Sequence, residues 1–322
     1  MNSGTSEFQL GVQVLSYGAT WPEVAEAVQL ADRLGYDYVF GADHLWATGG
    51  DPLLSAFEGW TTLAAWAAVT EHARVGLLVT ANSFRNPGLV AKMVTTVDHI
   101  SGGRAVLGLG AGWWAGEQRA HGIDVGAGLA DRLDWMDEAA GIIRGLLAGD
   151  EVSTDGHYHL DHVRHSPRPI GTVPILVGAT GDRSLEIAAR HADIWHMWIE
   201  PDNVAGFREV SAKLDAALIK AGRHPKDVVR LPGCKMVLRK DRAEARQVFE
   251  RLMMRHQWPE EVRRHAWLGT SEWAASRIAE LSDAGADGLI VQLASPYELD
   301  TVKALADAMR PTGARPSTPG RR

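Results

Sequence analysis

The chain has 322 residues, of which 45% are hydrophobic and 23% are charged, and its formal net charge is −7. These values are typical of a globular protein and exclude a strongly basic surface for nucleic acid or acidic lipids. The single cysteine, Cys234, excludes an internal disulfide and favours a reducing compartment, with the thiol buried in a strand.

The amino-terminal residues lack the basic-then-apolar profile of a signal peptide, and no apolar run reaches the roughly 20 residues that span a bilayer. We therefore expect a cytoplasmic protein without a nucleic-acid or membrane partner. Residues 311–322 are rich in proline and glycine, which predicts a flexible tail after a single domain of residues 1–310.

Strand-like and helix-like segments alternate along the chain. Apolar runs predict strands at 10–15, 38–42, 74–79, 105–109, 174–177, 192–197, 230–238 and 287–293. Apolar residues at helical spacing follow them at 21–34, 60–72, 87–100, 130–147, 183–191, 204–221, 242–256 with 271–284, and 298–309.

Eight strand-then-helix units predict an α/β fold of the (β/α)8 TIM-barrel type, because closing the sheet leaves no unpaired edge. The alternative is an open, doubly wound sheet. Such a sheet would usually carry a glycine-rich turn after its first strand, and residues 15–20 lack one.

The connection between the fourth helix and the fifth strand is longer than the others. Residues 149–173 contain strand-like runs at 152–154 and 158–160, separated by an Asp155-Gly156 turn. This pattern predicts a hairpin-containing insertion, which we expect to lie over the barrel mouth and to help shape the pocket. Four histidines fall between 157 and 165, but no cysteine or carboxylate set completes a metal site, so no metal is expected.

In a TIM barrel the active site is formed by the loops that follow the strands. Asp43 and His44 follow the second strand, and a histidine there can transfer a proton near neutral pH. A structural hydrogen-bonded pair would give the same two residues. Their position at the end of a strand favours catalysis.

The segment VGATGDR, residues 177–183, leads directly into a predicted helix. Small residues let the backbone approach a ligand, and free amides at a helix start attract an anion, to which Arg183 would add charge. The alternative is an ordinary helix start capped by Thr180 or Asp182. The position after a late strand favours a phosphate site.

The glycines at 108–112 lack the spacing of a dinucleotide-binding loop. Close approach of the backbone to a flat ligand is the better interpretation, with Trp113 and Trp114 on one side and Trp195 and Trp198 on the other. Because core packing accounts for most aromatic residues, we expect two of these four to face the pocket.

Together these features resemble the bacterial luciferase-like superfamily of flavin- or F420-dependent oxidoreductases. The resemblance extends over about residues 10–309 and is strongest at 75–124 (VGLLVTANSFRNPGLVAKMVTTVDHISGGRAVLGLGAGWWAGEQRAHGID) and 166–198 (SPRPIGTVPILVGATGDRSLEIAARHADIWHMW). The chain looks closest to members that use the deazaflavin coenzyme F420, which implies hydride transfer to or from a small organic substrate. The alternative is an FMN-dependent monooxygenase that uses reduced flavin and oxygen. A metal-dependent hydrolase and a non-catalytic flavin-binding protein are further alternatives.

The resemblance places Asp43 and His44 near the cofactor ring as catalytic residues. We expect the cofactor-binding residues to be Leu78, Val79, Thr80, Asn82, Gly112, Trp113, Gly178, Ala179, Thr180, Gly181, Asp182 and Arg183. We expect the substrate pocket to include Trp46, Trp114, His196 and Trp198.

Family members often have a non-proline cis peptide beside the ring, which we place at Leu78-Val79. The sugar-phosphate dehydrogenase branch has a catalytic carboxylate where this chain has Trp113. Glu117 matches an acidic position of the superfamily, and both a catalytic and a structural role remain open for it. The family also implies a homodimer, to which Trp60, Trp66 and Met93 on the early helices are candidate contributors.

Overall fold

The computed structural model describes residues 8–48 and 53–309, and the predicted tail at 311–322 lies outside these residues. The strands are β1 (Gln9–Val14), β2 (Tyr38–Gly41), β3 (Arg74–Leu77), β4 (Thr80–Ala81), β5 (Ala105–Gly110), β6 (Val152–Asp155), β7 (His159–Val163), β8 (Ile175–Gly178), β9 (Ile194–His196), β10 (Val229–Arg230), β11 (Gly233–Leu238), β12 (Ala266–Gly269) and β13 (Gly288–Leu293). The α-helices are α1 (Trp21–Arg33), α2 (Gly59–Val69), α3 (Pro87–Ser101), α4 (Ala115–Ala120), α5 (Leu129–Ala148), α6 (Asp182–His191), α7 (Val204–Lys220), α8 (Arg242–His256), α9 (Ser271–Asp283) and α10 (Leu299–Met309).

The fold is an α/β fold with one curled parallel sheet. Its strand order is β10-β9-β8-β5-β3-β2-β1-β13-β11-β12, with β4 beside β5. The segment between β10 and β11 bonds to both ends of this order. Leu231 N donates to Trp195 O at 2.9 Å on one side, and Ile290 N donates to Pro232 O at 2.9 Å on the other. The sheet therefore curls until strands near the two ends of the order flank the same segment.

The helices begin and end where local sequence dictates. Helix α1 begins with a capping box between Thr20 and Glu23, and its buried residues recur at helical spacing. Helix α3 begins where the Asn86 side chain accepts a hydrogen bond from Gly88 N, and it ends at Gly102, whose φ of +70° favours glycine. Most of the residues that α1 and α3 bury are apolar.

Two apolar layers hold the sheet in place. The larger core cluster packs the helices on the outside of the sheet. A second cluster, to which Phe40, Val106, Leu176 and Ile290 belong, has its members on the strands or directly beside them. The neighbouring strands approach closely at Gly108, where an added Cβ would lie 1.9 Å from Leu77 O. Apolar side chains thus cover both faces of the sheet.

The strands β6 and β7 pair as an antiparallel hairpin between α5 and β8. The Glu138 carboxylate on α5 accepts hydrogen bonds from the backbone N–H groups of His157 and Tyr158. The His157 ring stacks on Trp135, with ring centroids 3.9 Å apart. The residues of this hairpin line neither of the two large cavities described below. Our expectation that it shapes the main pocket is therefore wrong, because the side chains of α5 hold it against the helix.

Residues with other expected roles are mostly buried. Cys234 is buried on β11, as predicted. Trp60 and Trp66 are buried in the core, which removes both rings from a possible dimer interface, and Met93 is partly buried. Within the described ranges, none of the helices has the length and apolar character needed to span a bilayer.

Candidate active site

Two cavities adjoin at the carboxyl ends of the parallel strands. The larger has a volume of about 750 Å³ and the smaller about 500 Å³. The residues that line both are His44, Leu78, Trp113, Trp114 and Trp198. Because these five residues form a shared boundary, groups bound in the two cavities would meet there.

The larger cavity brings together most of the predicted cofactor-binding residues. Its lining includes Leu78, Val79, Gly112, Trp113, Gly178, Ala179, Thr180, Gly181, Asp182 and Arg183. Thr80 and Asn82 are not among them. Thr80 is fully buried, and Asn82 Nδ2 donates to the Tyr158 hydroxyl at 2.9 Å. Ala81 lines the cavity instead, because successive side chains of an extended segment point in opposite directions.

The peptide bond Leu78-Val79 is cis, which confirms the prediction. The carbonyl oxygen of Leu78 accepts a hydrogen bond of 2.7 Å from the buried Gln13 side chain. The backbone at the boundary of the two cavities is thus held by a side chain from β1.

The far end of the larger cavity is formed by the start of α6. Gly181 is the residue before the helix, and no side chain caps its amides, so the alternative of a cap by Thr180 or Asp182 is not realised. An added Cβ at Gly178 would meet no atom within 4 Å. Open space above uncapped amides fits a ligand that ends in a phosphate. Arg183 shares its charge with Asp134 in an ion pair.

His44 forms a dyad with Glu117. Its Nδ1 lies 2.9 Å from Glu117 Oε2, and the carboxylate is 1% exposed. Glu117 also accepts the backbone N–H groups of Leu45 and Trp46, at 2.6 and 2.9 Å. Burial raises the pKa of Glu117, but the bonds from His44 and the two amides outweigh it and leave the pKa below its ordinary value.

This arrangement fixes the orientation of the histidine. Since Glu117 is a carboxylate, Nδ1 of His44 carries the donated proton, and Nε2 is the nitrogen available to a ligand. His44 lines both cavities, so a substrate oxygen at their junction would be within its reach. The sequence left the role of Glu117 open, and the geometry favours positioning of His44.

Asp43 is engaged by its neighbours. Its carboxylate accepts two hydrogen bonds from Arg85, at 2.7 and 3.0 Å, and one from Ala81 N at 3.1 Å. Burial raises the pKa of Asp43, and the Arg85 guanidinium opposes that rise. Arg85 also bonds to Glu58 at 2.5 Å. With both oxygens occupied, Asp43 is suited to holding the loop after β3 rather than to moving protons.

Three of the four candidate tryptophans line the cavities, where we expected two. Trp113 and Trp114 stack with ring centroids 5.8 Å apart, and Trp198 lines both cavities. Trp195 is buried, and its Nε1 donates to Ala179 O at 2.8 Å. Trp46 lines neither cavity and packs edge-on against Trp114 at 6.0 Å, so it supports the wall from behind.

His196 faces the larger cavity rather than the smaller one. Its Nδ1 donates to Leu231 O at 2.7 Å, and its buried Nε2 has no hydrogen-bond partner among the described residues. Burial lowers the pKa of His196 to about 4. The ring is therefore neutral near pH 7, and Nε2 offers a lone pair to a ligand donor.

Six polar residues of the smaller cavity had not been predicted as site residues. These are Gln13, Tyr17, Thr48, Lys235, His265 and Gln292. Gln13, Lys235 and Gln292 each interrupt an otherwise apolar strand, which was the available signal, because a polar residue in a buried strand requires a partner.

Metal-ligand chemistry is not evident at the site. Over the ranges that the structure describes, no group of three or more histidine, cysteine, aspartate or glutamate residues is placed to hold an ion. The hairpin histidines have separate surroundings: His162 lies 2.6 Å from Glu151, and His165 lies 2.8 Å from Thr95 Oγ1.

Comparison with known proteins gives one family and relatives of two kinds, a monooxygenase and an F420-dependent dehydrogenase. The model of the luciferase-like monooxygenase family matches residues 5–315. The chain is 29% identical over 277 residues to the pyrimidine monooxygenase RutA of Stutzerimonas stutzeri, covering 84% of this chain and 72% of that protein. It is 32% identical over 225 residues to an F420-dependent hydroxymycolic acid dehydrogenase of Mycobacterium tuberculosis, covering 68% of this chain and 59% of that protein.

The fold also matches a solved structure over nearly the whole chain. A structure of an F420-dependent secondary alcohol dehydrogenase with an F420-acetone adduct superposes with a TM-score of 0.79 and 19% identity, covering 95% of this chain and 100% of that one. At this identity the superposition supports the fold alone.

Proposed function

Since the chain belongs to the luciferase-like monooxygenase family, we propose that it is an oxidoreductase that transfers hydride between coenzyme F420 and a small organic substrate. The observation that carries this proposal is the His44–Glu117 dyad at the junction of the two cavities. A cofactor ring in the larger cavity and a substrate in the smaller one would meet beside it.

The residues of the larger cavity fit such a cofactor. Leu78, Val79 and Trp113 would contact the ring, and the amides at Gly181 would receive the phosphate of its tail. The lone pair of His196 Nε2 would accept a hydrogen bond from the cofactor, because that nitrogen is otherwise unpaired. When bound, the deazaflavin would supply the hydride acceptor or donor.

The chain's own residues then handle the proton. During oxidation of an alcohol, His44 Nε2 would accept the hydroxyl proton, and in the reverse direction it would return that proton to the carbonyl oxygen. Glu117 stabilises the imidazolium that forms and keeps Nε2 facing the cavities. Trp114, which lines both cavities, would restrict water at the junction.

We extend the proposal to the barrel fold, the insertion, the oligomeric state and the location of the protein. The curled sheet is interpreted as a closed (β/α)8 barrel within a single domain of residues 1–310, supported by the backbone bonds on both sides of the β10–β11 segment. Residues 149–173 would be an insertion between the fourth helix and the fifth strand. A homodimer and a cytoplasmic location also remain proposals.

The proposal is tested by an anaerobic assay that follows F420 absorbance with a panel of small alcohols and carbonyl compounds. Turnover of F420 with any of them, without turnover of FMN, is the expected result. In a parallel aerobic assay, oxygen consumption with reduced FMN, together with no reaction of F420 in the anaerobic assay, would instead assign the chain to the monooxygenases, of which RutA is one.

A further inference from the structure

A lysine lies in the wall of the smaller cavity, on a different strand from the glycine-rich wall assigned to the cofactor. Lys235 extends from β11, and its Nζ lies 5.3 Å from the ring centroid of Trp198 and 5.1 Å from that of Trp258. These distances are typical of cation–π contacts. The two indole rings hold the ammonium group at a defined position in the wall.

No carboxylate accompanies this ammonium group in the part of the chain that the structure describes, and no other lysine or arginine there lines the smaller cavity. The titratable groups that interact electrostatically with it, Cys234 and His256, supply no negative charge. Burial raises the pKa of the Cys234 thiol and lowers the pKa of His256. Burial lowers the pKa of Lys235 to about 8, so the amine remains mainly protonated at pH 7. An enclosed cation without an anion is costly unless a ligand supplies one.

The lysine is the start of a directed chain of hydrogen bonds. Its Nζ contacts Gln292 Oε1, Gln292 Nε2 donates to Gln13 Oε1 at 2.6 Å, and Gln13 Nε2 donates to Leu78 O at 2.7 Å. Because an ammonium group can only donate, both amides are fixed in orientation. These hydrogen bonds use one N–H group of the lysine, and its other two N–H groups remain as donors for a ligand.

We propose that Lys235 binds a carboxylate of the substrate, so that the smaller cavity selects small organic acids. One positive charge balances a monoanion and would leave a phosphate dianion only half compensated. Leu15 and Trp114, which line the same cavity, suit the apolar body of such an acid. This inference rests on the proposed function, since the reacting carbon of the acid would lie at the His44 side of the cavity.

The test compares a carboxylate with its neutral isostere. Benzoate and benzamide, followed by acetate and phenylacetate with their amides, are titrated calorimetrically into the full-length chain, with and without saturating F420. The wild type is expected to bind at least one acid about tenfold or more tightly than its amide. Lys235→Gln is expected to remove that preference and Lys235→Arg to retain most of it, while the exposed Lys226→Gln leaves it unchanged.

Equal binding of acid and amide by the wild type, or no binding of any acid, would overturn the proposal, as would a preference that survives in K235Q. Thermal unfolding of K235Q checks that the variant is folded. If it is not, the preference of K235R for acid over amide is the second measurement. The F420 titration of the same proteins is scored separately. Loss of F420 binding with an intact acid preference would reject the proposed function and leave the Lys235 site in place.

Discussion

The two adjoining cavities are constructed in different ways. The far wall of the larger one is formed by a contiguous segment, Gly178 to Arg183, which exposes uncapped backbone amides and includes two glycines. The polar wall of the smaller one is formed by long side chains from three strands, and Gln13 and Gln292 are 279 residues apart in sequence. Under our proposals, the first wall would receive the phosphate of the cofactor, whereas the second would select the substrate by its charge. We therefore expect cofactor affinity and substrate selection to respond to different substitutions.

The largest effect is expected at the junction, which belongs to both cavities. His44→Gln should lower kcat with the best substrate by about 10²–10⁴-fold, because the group that moves the proton is lost. F420 affinity should change only a few-fold. Steady-state kinetics and an F420 titration of the same preparation give the two numbers. The exposed His72→Gln is the matched control, and a parallel loss of F420 binding in H44Q would show that the junction is not separable from the cofactor site.

Glu117→Gln should lower kcat by about 10–100-fold, because the amide keeps the shape of the side chain but loses the charge that stabilises a protonated His44. A purely structural role would reduce thermal stability without altering the pH dependence of kcat/KM. The expected result is a changed pH profile with F420 affinity retained. Glu71→Gln, at a residue that is 84% exposed, serves as the control.

Gly178→Val should weaken F420 binding by about tenfold or more, because the new side chain enters space that no protein atom occupies within 4 Å. Stability should change by less than about 1 kcal/mol, since a β-branched residue is compatible with the end of a strand. The same substitution at Gly128, where an added Cβ also meets nothing and which lines neither cavity, is the control. Unchanged F420 affinity in G178V would contradict binding of the cofactor in the larger cavity.

A separate effect, on stability rather than on activity or cofactor affinity, concerns the neutral His196. Burial holds its pKa at about 4 in the folded chain, against about 6.5 when unfolded. The unfolded chain therefore takes up a proton first as the pH falls from 6.5 to 4, and stability is lost over that window. His196→Gln should remove about 3 kcal/mol of this pH dependence.

The pH dependence is measured by urea unfolding at pH 7 and at pH values down to 4. The pKa values of His165, His191 and His256 are also lowered by burial, so part of the acid sensitivity should remain. The exposed His159→Gln should leave the dependence as it is in the wild type. An identical slope for H196Q and the wild type would contradict the assignment of a buried, neutral imidazole.

The comparison of the two walls also explains what could be predicted from sequence. The eight strand-then-helix units were evident because burial imposes apolar runs and helical spacing on the chain, and the segment 177–183 was evident because its small residues are contiguous. The strand Ala266–Gly269 was missed, since four residues between two helices carry too little pattern.

Individual side-chain directions were less accessible. Thr80 and Asn82 were expected at the cofactor but turn into the protein, because alternation along a short extended segment decides which residue faces the cavity. Glu117 was recognised without a role, since its partner His44 is 73 residues away in sequence. Lys235 was missed because its environment is assembled only by the fold.

The central claim is that the larger cavity binds F420, and calorimetric titration of F420 into the wild type, G178V and G128V tests it most directly. We expect micromolar binding by the wild type, the same affinity for G128V, and an affinity about tenfold or more lower for G178V. Failure of the wild type to bind F420, or equal affinity for all three proteins, would contradict the account.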